Sequence, residues 1–132
     1  MKKVVIEGSN DSPKIILDGK QGNVFIGGSS LPENVFDIYN PVLNWLDEYI
    51  ICPNPVTNIK FFYDYLNTAS SHMIMRIFEK IIELSAACPS LSIDWHYLKS
   101  DHDMRDFGEE LQELSSIPIN LIAEESLPES RS

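Results

Sequence analysis

The residues best equipped for chemistry lie together in one short segment, Asp64-Tyr65-Leu66-Asn67-Thr68-Ala69-Ser70-Ser71. A carboxylate, an amide and several hydroxyls stand here between two apolar stretches of different period. Before the segment, Ile59, Phe61, Tyr63 and Tyr65 fall on one face of an extended chain, and Lys60, Phe62, Asp64 and Leu66 on the other. After it, Ile74, Ile77, Phe78, Ile81 and Ile82 recur at helical spacing, with Arg76, Glu79, Lys80 and Glu83 between them. The segment is therefore a turn from a buried strand into an amphipathic helix. Asn67 or Thr68 suits the N-cap, where a side-chain oxygen accepts a bond from a free backbone N–H. The same place suits an added phosphate, because a helix start combines unpaired N–H groups with the positive end of the dipole. Two readings of Thr68 stand side by side: a cap, or a phosphoacceptor.

Other candidates are weaker. His72, His96 and His102 show no ligand spacing, so no metal site is expected. There is no P-loop, no GxGxxG and no nucleophile elbow. Gly27-Gly28-Ser29-Ser30 could cradle a phosphate, but such pairs more often end a strand. Asp64 is either a solvent-facing strand residue or a group that helps a partner recognise the turn or place magnesium. Glu109, Glu110 and Glu113 read as a solvated helix face. These residues complete no catalytic set, and neither catalytic residues nor cofactors are expected.

The elements that position the turn can be read from periodicity. Lys3 to Glu7 and Lys14 to Asp18 are strand-like. Gly19 to Gly22 forms a hairpin loop, and Asn23 to Gly27 returns antiparallel. Leu31-Pro32-Glu33-Asn34 opens a helix carrying Val35, Ile38, Tyr39, Val42, Leu43, Leu46 and Ile50, with Pro41 expected to kink it and Trp45 at the core margin. Leu91 to Tyr97 alternates as a strand. Ser100 caps a helix with Asp103 three residues on. Ile117 to Ile122 is a last strand, its proline suggesting an edge position or a strand start. The order β-β-β-α-β-α-β-α-β predicts a mixed sheet with crossover helices, an α/β two-layer sandwich with the helices on one face. Residues 1–123 are expected to form one domain and 124–132 a flexible tail.

Composition narrows the function. The chain has 132 residues and a net charge of −10, with Lys2-Lys3 its only basic pair. That argues against general affinity for nucleic acid or anionic membranes, which need a basic footprint. The first residues lack an apolar leader core, and no run approaches a membrane span, so a cytoplasmic protein is expected. Cys52 and Cys88 lie far apart without a CxxC and read as reduced, partly buried thiols.

Four segments together resemble a known family. LPENVFDIYNPVLNWLDEYI resembles the helical PEN…W segment of the SiaC family of bacterial regulatory phosphoproteins. YLNTASSHMIMRIF resembles its strand–turn–helix signature with a Tyr-Leu-Asn-Thr centre. Trp95-His96-Tyr97 resembles a strand nearer the C-terminus, and SPKIILDGKQGNVFIGGSS fits the first hairpin. The resemblance covers roughly residues 12–123. It implies a SpoIIAA-like or STAS-like fold and no enzymatic activity. It also implies a protein kinase that phosphorylates the turn threonine, a PP2C-like phosphatase that removes the phosphate, and an output protein such as a diguanylate cyclase, bound in the unphosphorylated state to promote aggregation or biofilm formation. The family's acceptor position matches Thr68. Ala69 stands where the best-known member has serine, so Ser70 and Ser71 are nearby alternative acceptors. Asp64, Leu66, Asn67, Ser70, Ser71 and Met73 are the residues expected to help recognise partners. The alternatives are a constitutive STAS-like interaction module, and a small enzyme or ligand-binding domain using the polar sheet face.

Overall fold

A computed structural model of the chain describes residues 1–127. The strands are β1 (Val4–Ile6), β2 (Lys14–Asp18), β3 (Asn23–Ser30), β4 (Val56–Leu66), β5 (Ser90–Leu98) and β6 (Asn120–Glu124). The helices are α1 (Val35–Tyr49), α2 (Thr68–Ala87) and α3 (His102–Ser115). The strands lie in chain order across one sheet. The first two pairings are antiparallel and the last three parallel.

That order explains the layering. Four successive parallel strands, β3 to β6, step in one direction across the sheet, and three crossovers of the same favoured hand then place every helix on the same face. The covered face carries Ile15, Leu17, Val24, Ile26, Ile59, Phe61, Tyr63, Ile93 and Trp95, all buried. Against them pack Tyr39, Val42, Leu46 and Tyr49 of α1, Ile74, Ile77, Phe78 and Ile81 of α2, and Met104 and Leu111 of α3. Gly108 lets α3 approach closely: a Cβ there would stand 2.6 Å from the Trp95 ring. Trp95 Nε1 donates to the carbonyl of Met104 at 3.0 Å, fixing the first turn of α3 to the sheet.

Several expectations need correction. β3 continues through Gly27–Ser30, so that stretch is strand rather than phosphate loop. β4 and β3 shift register between Gly28 and Ser29, whose partners are Tyr63 and Tyr65, so Asp64 is the extra residue of a bulge. The bulge turns Tyr65 outward, 52% exposed, and packs Leu66 against the core instead. Ile82 is exposed and Trp45 lies inside the core rather than at its margin. α3 is capped by Asp101, not Ser100, with Oδ1 accepting from the amide of Met104 at 3.0 Å. β6 starts beyond Pro118, at the sheet edge, and includes Glu124, so the expected boundary at residue 123 falls inside a strand. The face without helices is less polar than Lys60 and Asp64 suggest. Phe62 is only 8% exposed there and stacks on His96 with ring centres 5.6 Å apart. Of the expected tail, residues 128–132 lie outside the described residues.

Candidate functional site

The parallel strands end together on one edge of the sheet, and each helix begins on that edge. In open α/β sheets this is where ligand and partner sites collect, because loops there are held by rigid elements on both sides. The end of β4 is tied to the end of β3. Ser30 pairs with Leu66, and the amide of Asn67 donates to the Ser30 carbonyl at 3.0 Å.

Asn67 is the N-cap of α2. Its backbone is extended, φ −81° and ψ 173°, and Oδ1 accepts from the amide of Ser70 at 2.8 Å. The amide of Ser71 donates to the Asn67 carbonyl at 3.0 Å, and Ser71 Oγ donates to the same oxygen at 3.2 Å. The capping role is thus filled without Thr68. Thr68 is the first helical residue and is exposed, and its hydroxyl makes no side-chain hydrogen bond among the described residues. The amides of Thr68 and Ala69 are left as the unsatisfied donors of the helix start.

Beneath the turn lies a chain of buried hydroxyls that sequence reasoning missed. Tyr63 and Tyr39 meet at 2.9 Å, Tyr39 and Ser30 at 2.7 Å, and Ser30 and Ser70 at 2.8 Å. Ser70 Oγ also donates to the Ser30 carbonyl at 3.0 Å. Burial pushes the Tyr63 phenol well above its ordinary range. Tyr39 is raised for the same reason, with the bonds from its neighbours acting the other way. Both tyrosines sit on apolar stripes and read from sequence as plain core. Only the Ser29-Ser30 pair hinted at polarity here, and its partner is 40 residues away.

The expected recognition residues divide. Asp64, Leu66, Asn67 and Ser71 are half-buried. Ser70 is fully buried and Met73 is 2% exposed, so neither offers surface to a partner and Ser70 is no alternative acceptor in this structure. Their positions on the inner side of α2 make both part of the core layer. Asp64 accepts from Ser29 Oγ at 2.8 Å beside Gly28, whose φ of 105° favours glycine. A cleft of about 240 Å³ runs from Asp64 and Ser71 to Asp101 and Asp103 at the start of α3. Its lining includes no histidine, cysteine, lysine or arginine. Among the described residues no three His, Cys, Asp or Glu side chains gather as they would around a metal. His96 instead bonds Glu124 at 2.7 Å through Nδ1. Cys52 and Cys88 are both free thiols, the first exposed and the second buried. No helix among the described residues is long and apolar enough to cross a membrane.

The helix starts differ in charge. The first turn of α1 holds Asp37 and that of α3 holds Asp103, whereas the first turn of α2 holds no acid. The start of α2 is therefore the one with no acid in its own first turn, and it carries the free hydroxyl.

Comparison with known proteins converges on one group. Residues 6–124 match the model of the SiaC family regulatory phosphoprotein. An uncharacterized protein of Pseudomonas aeruginosa strain UCBPP-PA14 is 26% identical over 123 residues, spanning 93% of this chain and 98% of its own length. The crystal structure of apo-SiaC from Pseudomonas aeruginosa superimposes with a TM-score of 0.83 at 26% identity, covering 93% of this chain and all of that one. A second structure holds SiaC of Pseudomonas aeruginosa in complex with the diguanylate cyclase SiaD, which it activates. It gives a TM-score of 0.84 at 26% identity over 92% of this chain and 99% of that one.

Proposed function

The chain belongs to the SiaC family of regulatory phosphoproteins, and on that premise we propose that it is a non-enzymatic, cytoplasmic switch whose phosphoacceptor is Thr68. A protein kinase adds the phosphate, a PP2C-like phosphatase removes it, and the unphosphorylated form binds and activates an output protein such as a diguanylate cyclase. The observation that carries this reading is that Asn67 caps α2, which leaves Thr68 exposed and unbonded at a helix start without an acid in its first turn.

The physics of the switch follows from that position. A phosphothreonine brings about −1.5 to −2 charges at pH 7. At Thr68 the new charge faces the unsatisfied amides and the positive end of α2, so the domain accommodates it. A partner docked over the turn has no such compensation. It must bury a doubly charged group or stay hydrated, and an unpaired buried charge at an interface costs several kcal/mol, about 3–5 kcal/mol where a single partner is lost. Exposed Tyr65 beside the turn supplies an apolar contact that the phosphate would keep wet. Asp64, Leu66, Asn67 and Ser71 frame that contact.

The test is direct. Thr68→Ala abolishes phosphate incorporation by the cognate kinase, while the variant still binds and activates its cyclase. Full labelling of Thr68→Ala would remove Thr68 from the mechanism. Loss of cyclase activation with an intact fold would show that the hydroxyl is itself a partner contact.

A further inference from the structure

The buried hydroxyl chain has a single direction. Each hydroxyl has one proton to give. Ser70 can give its proton to the Ser30 carbonyl or to Ser30 Oγ. If it took the second, Ser30 would donate to Tyr39 and Tyr39 to Tyr63, and the fully buried Tyr63 hydroxyl would have no acceptor among the described residues. A buried donor left without a partner is costly. If Ser70 donates to the carbonyl, Ser30 donates to Ser70, Tyr39 to Ser30 and Tyr63 to Tyr39, and all four donors are satisfied. The chain thus runs from β4 through α1 and β3 into the third residue of α2, and ends on the carbonyl that also receives the Asn67 amide.

We propose that Ser70 is a positioning residue for Thr68: its buried hydroxyl, clamped on both Ser30 Oγ and the Ser30 carbonyl, locks the first turn of α2 to the end of β3 and fixes the direction in which Thr68 is presented to kinase and phosphatase. This rests on Thr68 being the acceptor. The clamp grips both sides of Thr68, through the Asn67 amide before it and Ser70 after it, two bonds to one carbonyl at 3.0 Å each. Ser70 is thereby no spare acceptor. Its proton is committed, its oxygen receives Ser30, and it has no exposed surface. Small errors in the placement of a reacting group cost phosphoryl transfer heavily, since positioning supplies much of the rate.

The experiment measures backbone amide exchange by NMR on the full chain, together with steady-state phosphorylation by the cognate kinase. In Ser70→Ala, the amides of Asn67 and Ser71 exchange at least about tenfold faster while those of Ile77 and Ile81 do not change, and kcat/KM for phosphorylation falls about tenfold or more. Ser70→Cys, similar in size and a weaker donor, lies between the two and serves if the alanine variant does not fold. Tyr63→Phe is the control. It removes the far end of the chain and weakens the core, yet leaves every bond of the clamp in place, so exchange at Asn67 and Ser71 and the phosphorylation kinetics stay as in the wild type. Equal loosening of the turn by Tyr63→Phe and Ser70→Ala, or exchange in Ser70→Ala that accelerates evenly through α2, would overturn the positioning role and leave ordinary core stability. If wild-type protein is not labelled at Thr68, the switch reading falls, and the exchange arm still decides whether Ser70 holds the turn.

Discussion

α2 and α3 begin on the same edge of the sheet, both after a parallel strand, and both with a side chain at the N-cap that accepts from the third helical amide. They are nevertheless held and charged in different ways. α3 starts from a carboxylate, Asp101, and adds Asp103 in its first turn. Its backbone is pinned by the Trp95 indole through the Met104 carbonyl, with Gly108 giving the ring room. α2 starts from a neutral amide, has no acid in its first turn, and is pinned by serine and tyrosine hydroxyls. In α3 the dipole is already answered by fixed negative charge, so the start is a finished structural joint. In α2 no acid of the first turn answers the dipole beneath the exposed hydroxyl, and a charge can be added there later.

The largest effect should come from attacking the α3 joint. Gly108→Val places side-chain atoms inside the Trp95 ring, which is walled in and cannot retreat, and should cost about 3 kcal/mol of stability. Urea melts measure this; a loss below about 1 kcal/mol would mean that α3 shifts freely on the sheet and that the joint is not rigid.

Alkaline pH should separate the two starts next. Tyr39 and Tyr63 have phenols raised by burial, so above the ordinary value of 10.0 the unfolded chain loses protons that the folded chain keeps. The unfolded state then binds fewer protons, and stability falls as pH rises, by up to about 1.4 kcal/mol per pH unit for each tyrosine that titrates only on unfolding. Below that value the contribution is fully present. Melts from about pH 8 to about pH 11 should show a steeper loss for the wild type than for the Tyr39→Phe/Tyr63→Phe double variant, with Lys80 contributing equally to both. Matching slopes would show that these phenols ionise within the fold.

Removing either cap should matter less. Asn67→Ala and Asp101→Ala should each cost about 1 kcal/mol, the carboxylate the more because it also answers the dipole. The difference between them should shrink in high salt, measured by melts at low and high ionic strength.

Much of this arrangement was legible in the chain itself. The order of elements follows from the change between alternating and helical periods, as at Tyr65 and Ile74, and the crossover rule then places the helices on one face. The turn at Asn67-Thr68 was visible because capping residues interrupt two apolar patterns. What was not legible depends on contacts between distant segments. Nothing local distinguishes Asn67 from Thr68 as cap, or Ser100 from Asp101. The outward turn of Tyr65 requires the bulge at Asp64, which exists only against Gly28 and Ser29 of another strand. Tyr39 and Tyr63 carry the apolar spacing of core residues, and their hydroxyls acquire meaning only when Ser30 and Ser70 meet between them. Burial of Ser70 and Met73 likewise follows from which side of α2 meets α1 and the sheet.

The smallest expected effect bears most directly on why one start and not the other serves as a switch. Thr68→Asp puts a permanent negative charge on the first residue of α2, where no acid of the first turn answers the dipole, and should stabilise the fold by about 0.3–1 kcal/mol at low salt. His102→Asp makes the equivalent change in α3, between Asp101 and Asp103, where the dipole is already answered and like charges repel, so it should gain nothing or lose a few tenths, about 0.2–0.5 kcal/mol. Paired urea melts at low and high ionic strength measure both. A Thr68→Asp variant less stable than wild type would mean that the start of α2 does not welcome negative charge, and the domain would then have to deform to carry a phosphate. The difference expected between the two substitutions comes chiefly from their neighbours, since both positions are exposed and both open a helix on the same edge.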